Sequence, residues 1–439
     1  MGPRLYNLFP LMAGPVAGWS AHLPRIAGMG FDWIYLNPFH FPGFSGSLYA
    51  VKDLSRLHPA LEDGRPAGEA LSEFTARAAE HGVSVMLDLV INHTAKDALL
   101  VDQHPQWYRR DETGELYSPR AVDPDDPENI TIWGDLAELH YDDAAHHPAM
   151  LAYWGDYIGW ALDCGFRGFR CDAAYQVPAR IWKPLIDGAK RRMPECLFAA
   201  ETLGCATEQV DALAKAGFDY LFNSSKWWDF RAPWLLEQYE SFRRIAPSIA
   251  FPESHDTERL AAELVDCDAG TIEKRYRQRY LFAALFSSGV MMPMGYEYGF
   301  AKKLHVVETR ADDWHREAGS PRFDLCGFVA AVNAMKASLP ALNVEGEQVG
   351  VTDEGSGIVA LVRYDGDAAT AGQATLALIN PDAHERGGFV PAAVLPQHEG
   401  RRWTDVTPQA AGETLDPHRP LTLGPAQIRV YSSDGKDRT

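Results

Sequence analysis

Cysteine is sparse in this chain, six among 439 residues, and no two stand as a Cys-x-x-Cys pair. Several of the six (Cys164, Cys171, Cys196, Cys205, Cys267, Cys326) sit in apolar, strand-like surroundings. They read as buried thiols in a reducing compartment rather than a disulfide framework. Basic residues are also short, 41 Lys and Arg against 60 Asp and Glu, for a net charge of −19. Such a chain lacks the basic patch that nucleic acid or an anionic membrane requires. No apolar run reaches ~18 residues, so no membrane-spanning helix is expected. The start, Met-Gly-Pro-Arg-Leu-Tyr-Asn-Leu-Phe-Pro, has no basic segment followed by an apolar stretch. No secretory signal is expected, and the expected compartment is the cytoplasm.

What is present is a long alternation of strand and helix signals. The length exceeds the ~250–300 residues at which single cores stop growing, so a large domain with a smaller one is expected. Strands are predicted at Tyr6–Met12, Phe31–Leu36, Val83–Ile91, Phe166–Cys171, Leu197–Ala200, Tyr220–Phe222, Ile249–Phe251 and Val290–Met294. Apolar residues at helical spacing separate them, as over Glu69–His81 and Ala149–Cys164. Near-continuous apolar strands between amphipathic helices imply a parallel sheet covered on both faces. Eight of them close a (β/α)8 barrel, the predicted fold.

The rhythm breaks between Asn92 and His147, a polar stretch with Asp123-Pro124-Asp125-Asp126-Pro127 as loop chemistry. Insertions this long in a compact domain are usually functional. Beyond Leu339, short alternating segments at Gly357–Val362, Ala374–Ile379, Gly388–Val390 and Ile428–Tyr431 predict a small antiparallel β domain. The expected division is a barrel over 1–93 and 148–339, an inserted unit over 94–147 and a C-terminal β-sandwich over 340–439.

Acidic side chains close four of the predicted strands. Asp88 and Asn92-His93 end the third, Gly-Phe-Arg-Cys-Asp the fourth at Asp172, Phe-Ala-Ala-Glu the fifth at Glu201, and Glu-Ser-His-Asp follows the seventh at Asp256. Carboxylates at the C-terminal ends of barrel strands converge on the face where such enzymes work. Paired carboxylates suit cleavage of a glycosidic bond, and in retaining enzymes they stand ~5–5.5 Å apart.

Each residue has two readings. Arg170, two positions before Asp172, points the same way and favours an ionised nucleophile; a buried structural ion pair is the alternative. Glu201 follows an apolar stretch that would raise its pKa and keep it protonated as a general acid, or it caps the next helix. Asp256, beside His255, either clamps sugar hydroxyls or caps a helix. His93 is a hydroxyl donor or a satisfied core histidine, and Tyr49 either stacks on a sugar or packs the core. The 12 Trp and 17 Tyr suit sugar faces as well as cores.

Taken in order, Asp-x-x-x-Asn-His, Gly-Phe-Arg-x-Asp, Ala-Glu and His-Asp resemble the α-amylase family, glycoside hydrolase family 13. Trp133-Gly-Asp-Leu-Ala137 is similar to a short motif near the end of that family's inserted domain. The resemblance implies a (β/α)8 barrel, a short insert after strand three and a C-terminal β domain. It also implies Asp172 as nucleophile, Glu201 as general acid/base and Asp256 as transition-state stabiliser. Arg170, His93, His255 and Tyr49 match residues lining the cleavage subsite, and Asp88 and Tyr175 complete the substrate-binding set. Where many amylases follow the nucleophile with Lys-His, this chain has Tyr175 and Gln176, so no metal and no cofactor are expected. Around Trp133–Glu138 it also resembles maltosyltransferases that use maltose 1-phosphate, although Ala173 stands where those carry Asn. Lys52 is the candidate phosphate contact.

The predicted function is a retaining glycoside hydrolase acting on α-linked glucose oligosaccharides or polysaccharides through a glycosyl-Asp intermediate. A maltosyltransferase-like transglycosylase is the alternative, and a non-catalytic scaffold a minor one. Trp227, Trp228 and the insert near Trp107 are expected to shape the acceptor side. The expected partner is an α-glucan or malto-oligosaccharide. A chain that starts at its first barrel strand fits one part of a larger assembly, with carbohydrate binding supplied by a separate partner.

Overall fold

Eight parallel strands close on themselves in chain order in the computed structural model: β1 Arg4–Leu8, β2 Trp33–Leu36, β3 Ser84–Leu89, β4 Gly168–Cys171, β5 Leu197–Glu201, β6 Tyr220–Phe222, β7 Ser248–Ala250 and β8 Gly289–Pro293. The structure describes residues 1–122, 128, 130–353, 355–395, 401–409 and 412–434. The Asp-Pro run at 123–127 lies outside the described residues. Strand β1 pairs with both β2 and β8, which completes the barrel.

Alternation along each strand sorts the interior into layers. Leu5, Met86, Ala199, Ile249 and Met291 point inward as an apolar layer, with the Tyr35 and Phe222 rings. At Gly168 the same layer leaves no space, because a Cβ would meet Leu197 O, Met86 Cε and the Trp33 ring at 3.0–3.1 Å. Two residues on, toward the C-terminal rim, the inward positions become Asn7, Asn37, Asp88, Arg170 and Glu201. In β3 and β4, Asp88 stands directly opposite Arg170.

Helices cover the barrel outside. Ala67–Glu80 buries Leu71, Phe74 and Ala78, and His147–Asp163 buries Met150, Trp154 and Ile158. Between β1 and β2 the helical residues fall into Val16–Trp19, a 3-10 turn and Leu23–Gly28. Pro24 explains the break, since it has no N–H to continue the ladder.

After β3 the strand His93–Ala95 pairs with Leu136–Glu138, and Arg120–Val122 pairs with Ile130–Ile132. Near the C-terminus, Gln348–Thr352, Val359–Tyr364, Gln373–Ile379, Ile428–Asp434 and Thr404–Asp405 form one antiparallel sheet in that order. A two-stranded sheet, Gly387–Phe389 with Leu421–Leu423, shares its core through Phe389 and Leu423.

Candidate active site

Arg170 is the hub of the barrel's C-terminal mouth. Its Nη1 donates to Asp88 Oδ1 and Oδ2, both at 2.9 Å, and to Asp172 Oδ1 at 2.7 Å. Its Nη2 lies 3.3 Å from Glu201 Oε2. One buried guanidinium thus holds three carboxylates from three adjacent strand ends. Burial alone would discharge Arg170, but Asp88, Tyr35 and Glu201 outweigh it and hold the cation firmly charged.

A cavity of about 240 Å³ opens above this hub. Tyr49, His93, Asp172, Tyr175, Glu201 and Asp256 border it, joined by Ala173, Trp133 and Asp135. Six of the nine sequence-predicted site residues therefore meet in one hollow. Asp88, Arg170 and His255 stand behind that wall. Asp88 is fully enclosed, accepting from the Tyr35 and Tyr49 hydroxyls at 2.6 and 2.7 Å besides Arg170. It braces the cavity wall from behind.

Burial pushes the Asp172 carboxyl well above its ordinary range, with Glu201 and Asp88 adding to the effect and Arg170 opposing it. Arg170 favours the ionised carboxylate, as expected, but acts against burial. The guanidinium is divided among three carboxylates, and desolvation prevails. Burial likewise raises Glu201, as expected, against Arg170 and the Ala173 N–H. Glu201 caps no helix: the next one, Thr207–Asp211, begins after Ala206.

His93 is driven down to about 4 by burial, so its ring is neutral at physiological pH. Its Nε2 is buried without a hydrogen-bond partner. His255 is also lowered by burial, against Asp256, whose Oδ2 lies 3.1 Å from its Nε2. Asp256 is not a helix cap, because the helix Leu260–Glu263 starts after Arg259. The acid holding that start is Glu253, fully buried, which takes the Leu260 N–H and Arg259 Nη1 at 2.7 Å each.

Two expectations fail on packing. Trp228 is buried against Phe230, Phe282 and Phe286, so it does not shape an acceptor side. Trp227 is exposed, edge-on to Phe251, and Trp107 of the insert is buried and stacked on His104. Lys52 is engaged by Asp97 at 2.8 Å and borders a different cavity, with Asp53, Ser55 and Gln103. Sequence reasoning missed Tyr35 and Asn37, whose side chains meet Asp88 and the Tyr49 hydroxyl inside the barrel. Their inward alternation in β2 was the available signal. Gln176, noted only as a departure, accepts from Asn92 Nδ2 at 2.9 Å and ties the third strand end to the turn after Asp172.

Residues 5–117 match the family model described as glycogen debranching enzyme, glucanotransferase domain. An alpha-1,4-glucan:maltose-1-phosphate maltosyltransferase of Burkholderia pseudomallei is 30% identical over 99% of this chain and 39% of its own length. One of Rhodospirillum rubrum is 30% identical over 52% of this chain and 34% of its own. The chain thus spans about two fifths or less of these relatives. Among solved structures, an alpha-amylase from Lactobacillus plantarum superposes with TM-score 0.73 at 21% identity, over 98% of both chains. An alpha-amylase from Geobacillus thermoleovorans gives 0.74 at 16% identity, over 100% of this chain and 99% of that one. Sequence and fold together carry the resemblance to the α-amylase family, glycoside hydrolase family 13, and to its maltosyltransferases.

Proposed function

We propose that this chain is a retaining enzyme acting on α-linked glucose oligosaccharides or polysaccharides. Asp172, as the carboxylate that Arg170 favours, attacks the anomeric carbon while protonated Glu201 gives its proton to the departing glycosidic oxygen, leaving a covalent β-glycosyl ester on Asp172. Glu201, now ionised, takes a proton from the incoming hydroxyl, whose oxygen displaces Asp172 and restores the α-configuration. Asp256, with His255 behind it, stabilises positive charge at the anomeric carbon. His93 donates to a hydroxyl of the bound sugar, while Tyr49 and Tyr175 form its walls.

The observation that carries this reading is that Asp172 and Glu201 share the Arg170 guanidinium at the border of one cavity. Hydrolysis follows when water is the acceptor. A second reading, transfer to a glucan, is favoured by the likeness to maltosyltransferases along 99% of the chain. The same reading divides the chain into a barrel over 1–93 and 148–339, an insert over 94–147 and a C-terminal β-sandwich over 340–439. No described helix is long and apolar enough to cross a membrane. All six cysteines are free thiols, which supports a cytoplasmic setting.

Maltoheptaose incubated with and without inorganic phosphate, with products resolved by chain length, separates the two. Shorter sugars alone identify a hydrolase. Longer and shorter sugars together, or a sugar 1-phosphate formed only with phosphate, identify a transferase. No change in the sugar under any condition overturns the proposal.

A further inference from the structure

Directly after Asp172 the backbone turns left-handed: Ala173 has φ 41° and ψ 43°. A residue with a Cβ occupies that region only where its surroundings compel it. Among the described residues, Phe230, Gln409 and Ala426 are the other non-glycines at positive φ, and only Ala173 borders the catalytic cavity. The turn is pinned from behind by the buried Trp182, whose indole N–H donates to Ala174 O at 3.0 Å. In front, the Ala173 N–H donates to Glu201 Oε2 at 2.7 Å. Arg170 Nη2 approaches the same oxygen at 3.3 Å.

A carboxyl oxygen that already accepts a short N–H bond and faces a guanidinium is the poorer seat for the proton, which the other oxygen then carries. We infer that Ala173 is a positioning residue: its left-handed turn aims a backbone N–H at Glu201 Oε2 and thereby assigns Oε1 as the oxygen that gives and takes the proton. The inference rests on the proposed role of Glu201. Arg170 from β4, Asp256 from the loop after β7 and Asp88 from β3 also act on this carboxyl. Tyr175 and Cys205 lie close enough to feel its charge, and Asp172 faces it across the site. Of these, Arg170 and the Ala173 N–H favour the ionised form. Loss of the N–H therefore raises the carboxyl further and moves the alkaline limb of the pH profile upward.

The most direct test replaces Ala173 by lactic acid, which deletes the N–H and keeps the Cβ. On maltoheptaose this ester should lower kcat roughly 10–100-fold, with KM within about 3-fold of the parent, and shift the alkaline limb up. On α-maltosyl fluoride, whose leaving group needs no proton, kcat/KM should fall far less. Ala173→Gly tolerates the left-handed turn and keeps the N–H, so whatever its kcat it should leave the alkaline limb in place. An ester with the parent's kcat and pH profile overturns the assignment, as does an equal loss on both substrates. A parent that fails to turn over maltoheptaose contradicts the proposed function instead. The Ala173 contact is then read from the carbon-13 titration of the Glu201 carboxyl, which the ester must shift upward.

Discussion

The Tyr49 and His255 rings lie edge to edge at the barrel mouth, centroids 5.6 Å apart and planes 6° from parallel. The Tyr49 hydroxyl is 2.7 Å from His255 Nε2 and donates to Asp88 Oδ2 at 2.7 Å, while Asn37 Nδ2 reaches it at 2.9 Å. A residue from the loop after β2 thus braces the loop after β7 that carries Asp256. Burial holds the phenol well above its ordinary range, so it stays a neutral donor.

Removing that hydroxyl should loosen Asp256 and strip Asp88 of one donor. Tyr49→Phe is expected to lower kcat/KM by about 10-fold or more and to cost about 1–3 kcal/mol of stability. Steady-state kinetics on maltoheptaose with thermal unfolding check both. A variant with parental kcat/KM would make Tyr49 a packing residue.

The raised carboxyls make stability fall with pH. Asp172 and Glu201 hold protons more tightly folded than unfolded. The folded chain therefore binds more protons from the ordinary carboxylate range up to the raised values. Across that window stability declines as pH rises, and the loss is complete above it. Asp172→Asn removes one of the two, so it should raise Tm on the order of 2 °C at pH 7 while abolishing turnover. The gain should vanish near pH 4. A lower Tm for Asp172→Asn at pH 7 would mean that the Arg170 pair is structural before it is catalytic.

Glu253 should behave in the opposite way. It is enclosed with Arg259, which also donates to Met294 O at 2.6 Å, and it anchors the segment leading to Asp256. Burial raises its carboxyl, with Arg259 and the Leu260 N–H opposing. Glu253→Gln leaves Arg259 without its counter-ion at a cost of about 3–5 kcal/mol. Thermal unfolding should show the loss clearly; an unchanged Tm would show that Met294 O and Lys302 O suffice for Arg259.

The barrel was legible because eight apolar strands and their helices repeat one pattern. Their predicted and observed bounds differ by a few residues at most, as at Tyr6–Met12 against Arg4–Leu8. The strand-end carboxylates were legible for the same reason: a strand's end fixes where its last side chain goes. What could not be read was three-dimensional sharing. Nothing local to Arg170 says that it serves Asp88, Asp172 and Glu201 together, so its effect on Asp172 was overestimated. Tyr35 and Asn37 looked like ordinary strand residues because their polar tips matter only inside a closed barrel. Trp228 looked like a site aromatic because burial by distant Phe282 and Phe286 leaves no trace in its sequence neighbours. Asp256 resembled a helix cap because Glu253, three residues earlier, does that work.

The central claim is that Asp172 becomes covalently glycosylated. The chain should be incubated with 5-fluoro-α-maltosyl fluoride, weighed intact and mapped by peptide mass spectrometry. The account predicts one added glycosyl unit, attached at Asp172 within the segment Gly168–Ala174 and absent from Asp172→Asn. An adduct on another carboxylate, or none while the parent turns over α-glucan, would contradict it.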